Sequence, residues 1–145
     1  MKLLIQRVKQ AAVEVNHSQI AHIQKGLLVF LGIAKGDTEE KLDDLVKKLV
    51  HLRIFEDKQG KMNESVIQQK GELLIISQFT LYADCSHGNR PSFIQAQEPI
   101  KAKELYESFI EKCKKQGIST KQGEFGAQMQ IQLINDGPVT IQIER

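Results

Sequence analysis

The sequence predicts an α+β fold, a mostly antiparallel sheet partly rolled into a barrel, with two main amphipathic helices laid over it. Three observations predict it. Apolar and polar residues alternate near both ends of the chain, as strands with one buried face require. Two short apolar runs, 27–31 and 73–76, have the pattern of strands covered on both faces. Two longer segments carry apolar residues at helical spacing.

Taken in order, residues 2–15 alternate through Ile5, Val8, Val13 and Val15, with a kink expected near Ala11-Ala12. Residues 19–23 alternate again, and the run 27–31 lies between Gly26 and Gly32. The first helix is expected to open at Asp37, with Glu40 three residues on as capping-box partner. It would bury Leu42, Leu45, Val46 and Leu49. Asp57-Lys58-Gln59-Gly60 reads as a turn. The run Leu73-Leu74-Ile75-Ile76 passes directly into polar Ser77-Gln78. A second helix follows Pro99, with a stripe of Ala102, Leu105, Tyr106, Phe109, Ile110 and Cys113, and Gly117 as its stop. Residues 128–133 and 139–144 alternate, and Asn135-Asp136-Gly137-Pro138 between them reads as a hairpin turn.

With 145 residues the chain fits one domain, 1–145, and can bury about two-thirds of its unfolded surface without disulfide or metal. Hydrophobic residues at 41% and charged residues at 26% exclude a disordered chain. No apolar run approaches the roughly 20 residues of a membrane span. The start turns polar after Leu3-Leu4-Ile5, too early for a signal peptide, so the expected location is cytoplasmic. A formal charge of +2 is too mild to predict nucleic-acid binding by bulk electrostatics.

Cys85 and Cys113 stand far apart, and the four histidines form no ligand pair, so no metal site is expected. No nucleotide or dinucleotide fingerprint is present, and no cofactor is expected. Asp84, Cys85 and His87 are too close in sequence to converge as a catalytic triad.

Four segments could carry chemistry. Ser77-Gln78-Phe79-Thr80-Leu81 puts polar groups at the rim of a sheet, where freed backbone N–H groups could face a ligand; it could equally be a strand end satisfying its own backbone. Gly123-Glu124-Phe125-Gly126-Ala127-Gln128-Met129 could form a slot for a flat base, or a glycine-rich loop with a packed Phe. Residues 135–140 are explained as a turn, and Gly88-Asn89-Arg90-Pro91-Ser92-Phe93 is a basic loop that could touch phosphate or be solvated.

Together these segments resemble the D-aminoacyl-tRNA deacylases. The resemblance runs through Leu4-Ile5-Gln6-Arg7-Val8, Gly26-Leu27-Leu28-Val29, Arg53-Ile54-Phe55, Gly60-Lys61-Met62-Asn63, residues 77–81, Arg90-Pro91-Ser92-Phe93 and residues 135–140. It implies a homodimer that hydrolyses the ester joining a D-amino acid to the terminal adenosine of tRNA. Ser77, Gln78, Phe79 and Thr80 match the catalytic motif. Asn135, Gly137, Pro138 and Thr140 match the motif that rejects L-amino acids and tolerates glycine, lent across the subunit interface with a cis Gly137–Pro138 bond. Arg7 matches the residue that holds this dipeptide. Phe125, Gly126, Ala127 and Met129 match the region receiving the terminal adenine.

An aminoacyl ester is already activated, so orientation and oxyanion stabilisation can supply most of the acceleration. The expected donors are backbone N–H groups near Phe79 and Thr80, with the ribose 2′-hydroxyl assisting proton transfer. A nucleophilic Thr80 competes with this, though no motif residue offers it a base. Lys112, Lys114 and Lys115 could hold the acceptor stem or be ordinary solvated lysines. The rival from another class is a non-catalytic, dimeric tRNA-binding module.

Overall fold

The computed structural model describes residues 1–145. The elements run β1 (Lys2–Val15), β2 (Ser18–Ile23), β3 (Gly26–Gly32), α1 (Glu40–Val50), β4 (Phe55–Glu56), β5 (Met62–Glu64), β6 (Glu72–Ser77), a 3-10 turn (Phe79–Tyr82), α2 (Pro99–Lys115), β7 (Thr120–Gln122) and β8 (Gln130–Glu144). The α+β class holds, but the main sheet is mixed. Its order is β2-β1-β3-β6-β7, with β8 on β1. β1 is antiparallel to β2, β3 and β8, whereas β3–β6 and β6–β7 are parallel. The parallel pairs fall where the helices are: α1 lies in the β3–β6 connection and α2 in the β6–β7 connection. Parallel neighbours need such crossovers, which two-residue turns cannot provide. β2 curls back against β6 and β7, so the sheet nearly closes into a barrel.

The apolar runs are covered on both faces. Leu27, Val29, Leu73 and Ile75 pack with the buried stripes of both helices, while Leu28, Leu74 and Ile76 pack with Val8, Ala11, Val13 and Ile23. α1 buries Leu42, Leu45, Val46 and Leu49, and α2 buries Leu105, Tyr106, Phe109, Ile110 and Cys113. Gly117 ends α2 at φ +76°, its N–H donating to the Lys114 carbonyl at 2.9 Å. The Asp57 carboxylate accepts from the N–H groups of Gln59 and Lys61, closing the expected turn between β4 and β5.

Three local expectations fail. The β1–β8 register shifts between Gln6 and Val8 and again between Val8 and Gln10, and the β1–β2 register shifts between Val13 and Glu14, so the irregularities flank Ala11-Ala12 rather than fall on it. Arg7 and Val8 are buried consecutively because the Arg7 guanidinium finds partners inside. The first helix begins at Glu40, and no side chain caps it. Asp37 has stronger partners: its carboxylate pairs with the Met1 ammonium at 2.8 Å, accepts the Ala34 N–H at 2.8 Å and takes Lys41 Nζ at 3.0 Å.

The third failure is the hairpin. β8 is one continuous strand, antiparallel to β1 on both sides of residues 136–139. Asn135 opposes Val8 and Thr140 opposes Gln6, so these residues bulge out opposite Arg7. A turn-forming tetrapeptide between two alternating stretches fits either geometry. A partner strand of 14 residues, long enough to pair with both stretches, decides for the bulge. No helix is long and apolar enough to cross a membrane.

Candidate active site

Strand β6 sets one wall. Its register places Ser77 opposite Leu31 of β3, and the next residue, Gln78, donates its N–H to the Leu31 carbonyl at 2.8 Å. Gly32 permits the close return of the chain, since a Cβ there would sit 3.0 Å from Leu81 Cβ and 3.1 Å from the Gln78 carbonyl oxygen. The chain then enters the 3-10 turn, whose first N–H groups have no carbonyl one turn behind them. The first bond of the turn runs from the Leu81 N–H to the Gln78 carbonyl, so the Phe79 and Thr80 N–H groups have no acceptor inside it. Gln78 Nε2 donates to Thr80 Oγ1. The Phe79 ring, 55% exposed, meets Phe93 edge-on at 5.0 Å, which brings the 90–93 loop beside this wall.

The opposite wall follows β7. Gly123 donates its N–H to the Ile75 carbonyl at 3.0 Å, and the chain then diverges through Phe125, Gly126, Ala127 and Met129. Gly126 takes φ +78°, a left-handed turn conformation in which glycine avoids the Cβ penalty. The two walls enclose a cavity of about 470 Å³. Ser77, Gln78 and Phe79 line it together with Phe125, Gly126, Ala127 and Met129. Thr80 is exposed and is not part of the lining.

Sequence reasoning missed Ile33, Gln97, Pro99 and Ala102, which complete the lining beside Leu31, Ile76 and Ile131. Gln97 is carried there by an isolated pairing: its N–H donates to the Ile33 carbonyl, Lys35 N–H donates to Gln95, and Ala34 bridges Ala96. No periodic pattern marks such a pairing. Only Pro99, at the first position of a helix, was a visible landmark.

Arg7 organises a second location. It is 4% exposed; Nε donates to the Asp136 carbonyl at 3.0 Å and Nη1 to the Ile54 carbonyl at 2.6 Å. The Asp136 carboxylate lies 3.3 Å from Nε and the Glu56 carboxylate 3.9 Å from Nη2, while the guanidinium stands 6.0 Å over the Phe55 ring. The Gly137–Pro138 peptide is cis, and Gly137 has φ +126°. A Cβ on Gly137 would sit 2.9 Å from Val139 Cγ2 and 3.2 Å from Arg7 Nη2. Asn135, Gly137, Pro138 and Thr140 are exposed, and Thr140 Oγ1 accepts from Gln6 Nε2 at 3.3 Å. None of these residues lines the cavity. One chain thus joins residues 77–79 to 125–129, but not to 135–140.

The other candidates hold no catalytic geometry. His87 Nδ1 bonds Ser86 Oγ at 2.8 Å and Asp84 accepts the Ser86 N–H, with Cys85 outside both contacts. Burial pushes the Cys113 thiol up to about 12. Lys112 pairs with Asp43 and Lys114 with Glu111, each at 2.8 Å.

A family model described as D-Tyr-tRNA(Tyr) deacylase matches residues 4–144. The chain belongs to the D-aminoacyl-tRNA deacylase family. Membership makes it a hydrolase. A protein of Aquifex aeolicus (strain VF5) named D-aminoacyl-tRNA deacylase is 53% identical over 144 residues, 99% of this chain and 97% of that one. A protein of the same name from Clostridium tetani (strain Massachusetts / E88) is 54% identical with the same coverage. Among solved structures, "c-Myc DNA Unwinding Element Binding Protein" matches with a TM-score of 0.94 and 42% identity, covering 100% of this chain and 99% of that one. "Structural Analysis of a probable eukaryotic D-amino acid tRNA deacylase" titles a second, with a TM-score of 0.87 over 98% and 97% of the chains; at 17% identity it shares the fold.

Proposed function

We propose that this hydrolase cleaves the ester between a D-amino acid and the terminal adenosine of tRNA, releasing free D-amino acid and tRNA, and that it acts likewise on mischarged glycyl-tRNA. The observation that carries the reading is the meeting of two walls in one cavity. On one side Phe79 lines the cavity and, with Thr80 next to it, opens the 3-10 turn whose first N–H groups lack an acceptor inside the turn; on the other lie Phe125, Gly126, Ala127 and Met129, which we assign to the adenine. All 145 residues act as one domain, and the work is done in the cytoplasm.

Water adds to the ester carbonyl, and the Phe79 and Thr80 N–H groups stabilise the resulting oxyanion. The tetrahedral intermediate expels the ribose 3′-oxygen, which takes its proton by way of the neighbouring 2′-hydroxyl. Ser77 and Gln78 shape this wall, and Gln78 holds the Thr80 hydroxyl, so Thr80 contributes chiefly its main chain.

Rejection of L-aminoacyl-tRNA is assigned to Gly137 and Pro138 of a second copy. Their own chain's cavity lies elsewhere, and Arg7 pins the bulge that displays them. Strand β8 pairs only with β1, leaving one edge of 15 residues open, with Leu133 36% and Ile134 50% exposed. An edge of that length invites pairing with another chain, and a homodimer is the closed form of it. Main-chain carbonyls on a pinned bulge exclude one enantiomer by clash without selecting a side chain, so tolerance among D-amino acids is broad.

The test is hydrolysis of D- and L-tyrosyl-tRNA side by side. Rapid cleavage of the D-ester alone is expected, with D-alanyl-tRNA cleaved comparably. Equal cleavage of both enantiomers defeats the gate. Binding of tRNA without turnover would establish the non-catalytic module instead. Thr80→Ala should retain most turnover; its complete loss would make the hydroxyl a nucleophile. A substrate ending in 2′-deoxyadenosine should react poorly.

A further inference from the structure

Strands β6 and β7 run parallel for three rungs, Leu73 with Thr120, Leu74 with Lys121 and Ile75 with Gln122. Beyond the last rung the two chains part. One becomes the Ser77–Phe79 wall and the other the Phe125–Met129 wall, so the width of the cavity is set where they separate. At that point stands Tyr106 of α2, 1% exposed. Its hydroxyl donates to the Ile75 carbonyl at 2.8 Å and also lies 3.3 Å from the Gly123 carbonyl. The Ile75 carbonyl already accepts the Gly123 N–H, so the phenol adds a second tie to a rung that the ladder alone would leave at its frayed end.

The surroundings fit a clamp rather than incidental satisfaction of a buried phenol. The Tyr106 ring leans on Phe125 at 5.7 Å, so the same residue touches the adenine wall directly. A Cβ at Gly123 would sit 2.6 Å from Met129 Sδ and 2.9 Å from Ile76 Cδ1 and would displace these two side-chain ends, both residues of the cavity lining. Close approach at this rung is therefore transmitted to both walls. Burial holds the phenol well above its usual titration range, so the clamp keeps its proton across working pH.

We propose that Tyr106 is a positioning residue for this reaction, its hydroxyl fixing the separation between the ester-cleaving wall and the adenine-receiving wall. The inference rests on the assignment of those walls under Proposed function. A group that only sets their spacing matters when a substrate must engage both together. Remote binding energy from the adenine then reaches the scissile bond only if the separation is right.

The test compares two substrates in Tyr106→Phe: D-tyrosyl-tRNA, which engages both walls, and a D-tyrosyl ester of an abasic ribose, which keeps the 2′-hydroxyl but lacks the adenine. The expected result is a loss of about tenfold in kcat/KM on the tRNA substrate, the size of one lost hydrogen bond, with the abasic ester changed by less than about twofold. Replacing Tyr106 by 4-aminophenylalanine, which restores a donor at the same place, should recover the tRNA activity. Equal losses on both substrates, or no loss on either, overturn the proposal. Should Tyr106→Phe unfold below the assay temperature, Gly123→Ala carries the same comparison, and a uniform loss there overturns it. Failure of the wall assignment itself shows separately: Phe125→Ala in the otherwise native enzyme would leave KM for D-tyrosyl-tRNA unchanged.

Discussion

The two signature segments are built in opposite ways. Residues 77–80 leave a strand covered on both faces, with Leu73, Leu74, Ile75 and Ile76 all buried beneath them. Residues 135–140 bulge from a strand that pairs on one side only and shows much of itself to solvent. The first is placed by packing, and it meets residues 125–129 across a cavity of its own chain. The second is held by its pairing with β1 at either end and by the buried Arg7 guanidinium between, and it lines no cavity of its own chain. Under the proposed function this contrast has a use: a wall that performs chemistry can rely on the core, whereas a wall lent to another subunit must be held from behind while its face stays open.

Truncation under each segment gives the largest expected contrast. Leu74→Ala should cost about 3 kcal/mol in urea unfolding, through lost burial and the cavity it leaves. Ile134→Ala on the open edge should cost under about 0.5 kcal/mol of chain stability. Equal losses would erase the distinction between a core-held and an edge-borne segment.

Arg7→Ala sharpens it from the other side. Removing the guanidinium leaves the Asp136 and Ile54 carbonyls without their donor, a cost of about 2 kcal/mol. Hydrolysis of D-tyrosyl-tRNA should persist while discrimination against L-tyrosyl-tRNA falls about tenfold, roughly the effect of losing one fixed contact. Loss of D-activity with discrimination intact would place Arg7 in the catalytic wall instead.

Acid should weaken the cluster around Asp37. Burial pushes the Asp37 carboxyl up, but the Met1 ammonium, the Ala34 N–H and Lys41 outweigh it and hold it below the usual 3.8. A carboxyl depressed in the folded state contributes stability above its unfolded pKa and loses it as pH falls through the folded one. The native enzyme should therefore lose stability from about pH 4 downward. Asp37→Asn should be less stable at neutral pH and show a flatter acid limb in pH-dependent thermal melting. Because Ala34 bridges Ala96 beside Gln97, the acid limb should accompany loosening at the cavity.

The smallest effect is expected at the cysteines. Alkylating exposed Cys85 should leave D-tyrosyl-tRNA hydrolysis within about twofold, as for a surface change away from the site. Buried Cys113 should resist the reagent until the protein unfolds, since burial shields its thiol and pushes it up to about 12. Mass spectrometry of the labelled protein checks both.

Much of the site was legible in local pattern. The change from Leu73-Leu74-Ile75-Ile76 to Ser77-Gln78 marks a buried strand reaching the rim of its sheet, and the structure puts Ser77, Gln78 and Phe79 on the cavity. The stripe of α2 was equally plain, because 3.6-residue periodicity records one buried face. Gln97 was not legible, since its place depends on an isolated pairing with Ile33. Nor was the clamp at Tyr106, which reads as one more apolar position in a helical stripe.

Composition and periodicity by themselves determined the α+β class, both helices, the doubly covered strands and the segments worth examining, because burial on a regular element leaves a repeating trace in the chain. Tertiary structure alone decided the parallel pairs, the capture of Asp37 by Met1 and Lys41 in place of helix capping, and the bulge where a hairpin was expected. Each depends on a partner distant in sequence: a second strand, the start of the chain, or a strand of 14 residues able to pair on both sides of residues 136–139. Local preference is the same for either outcome at those positions, and only the partner's presence separates them.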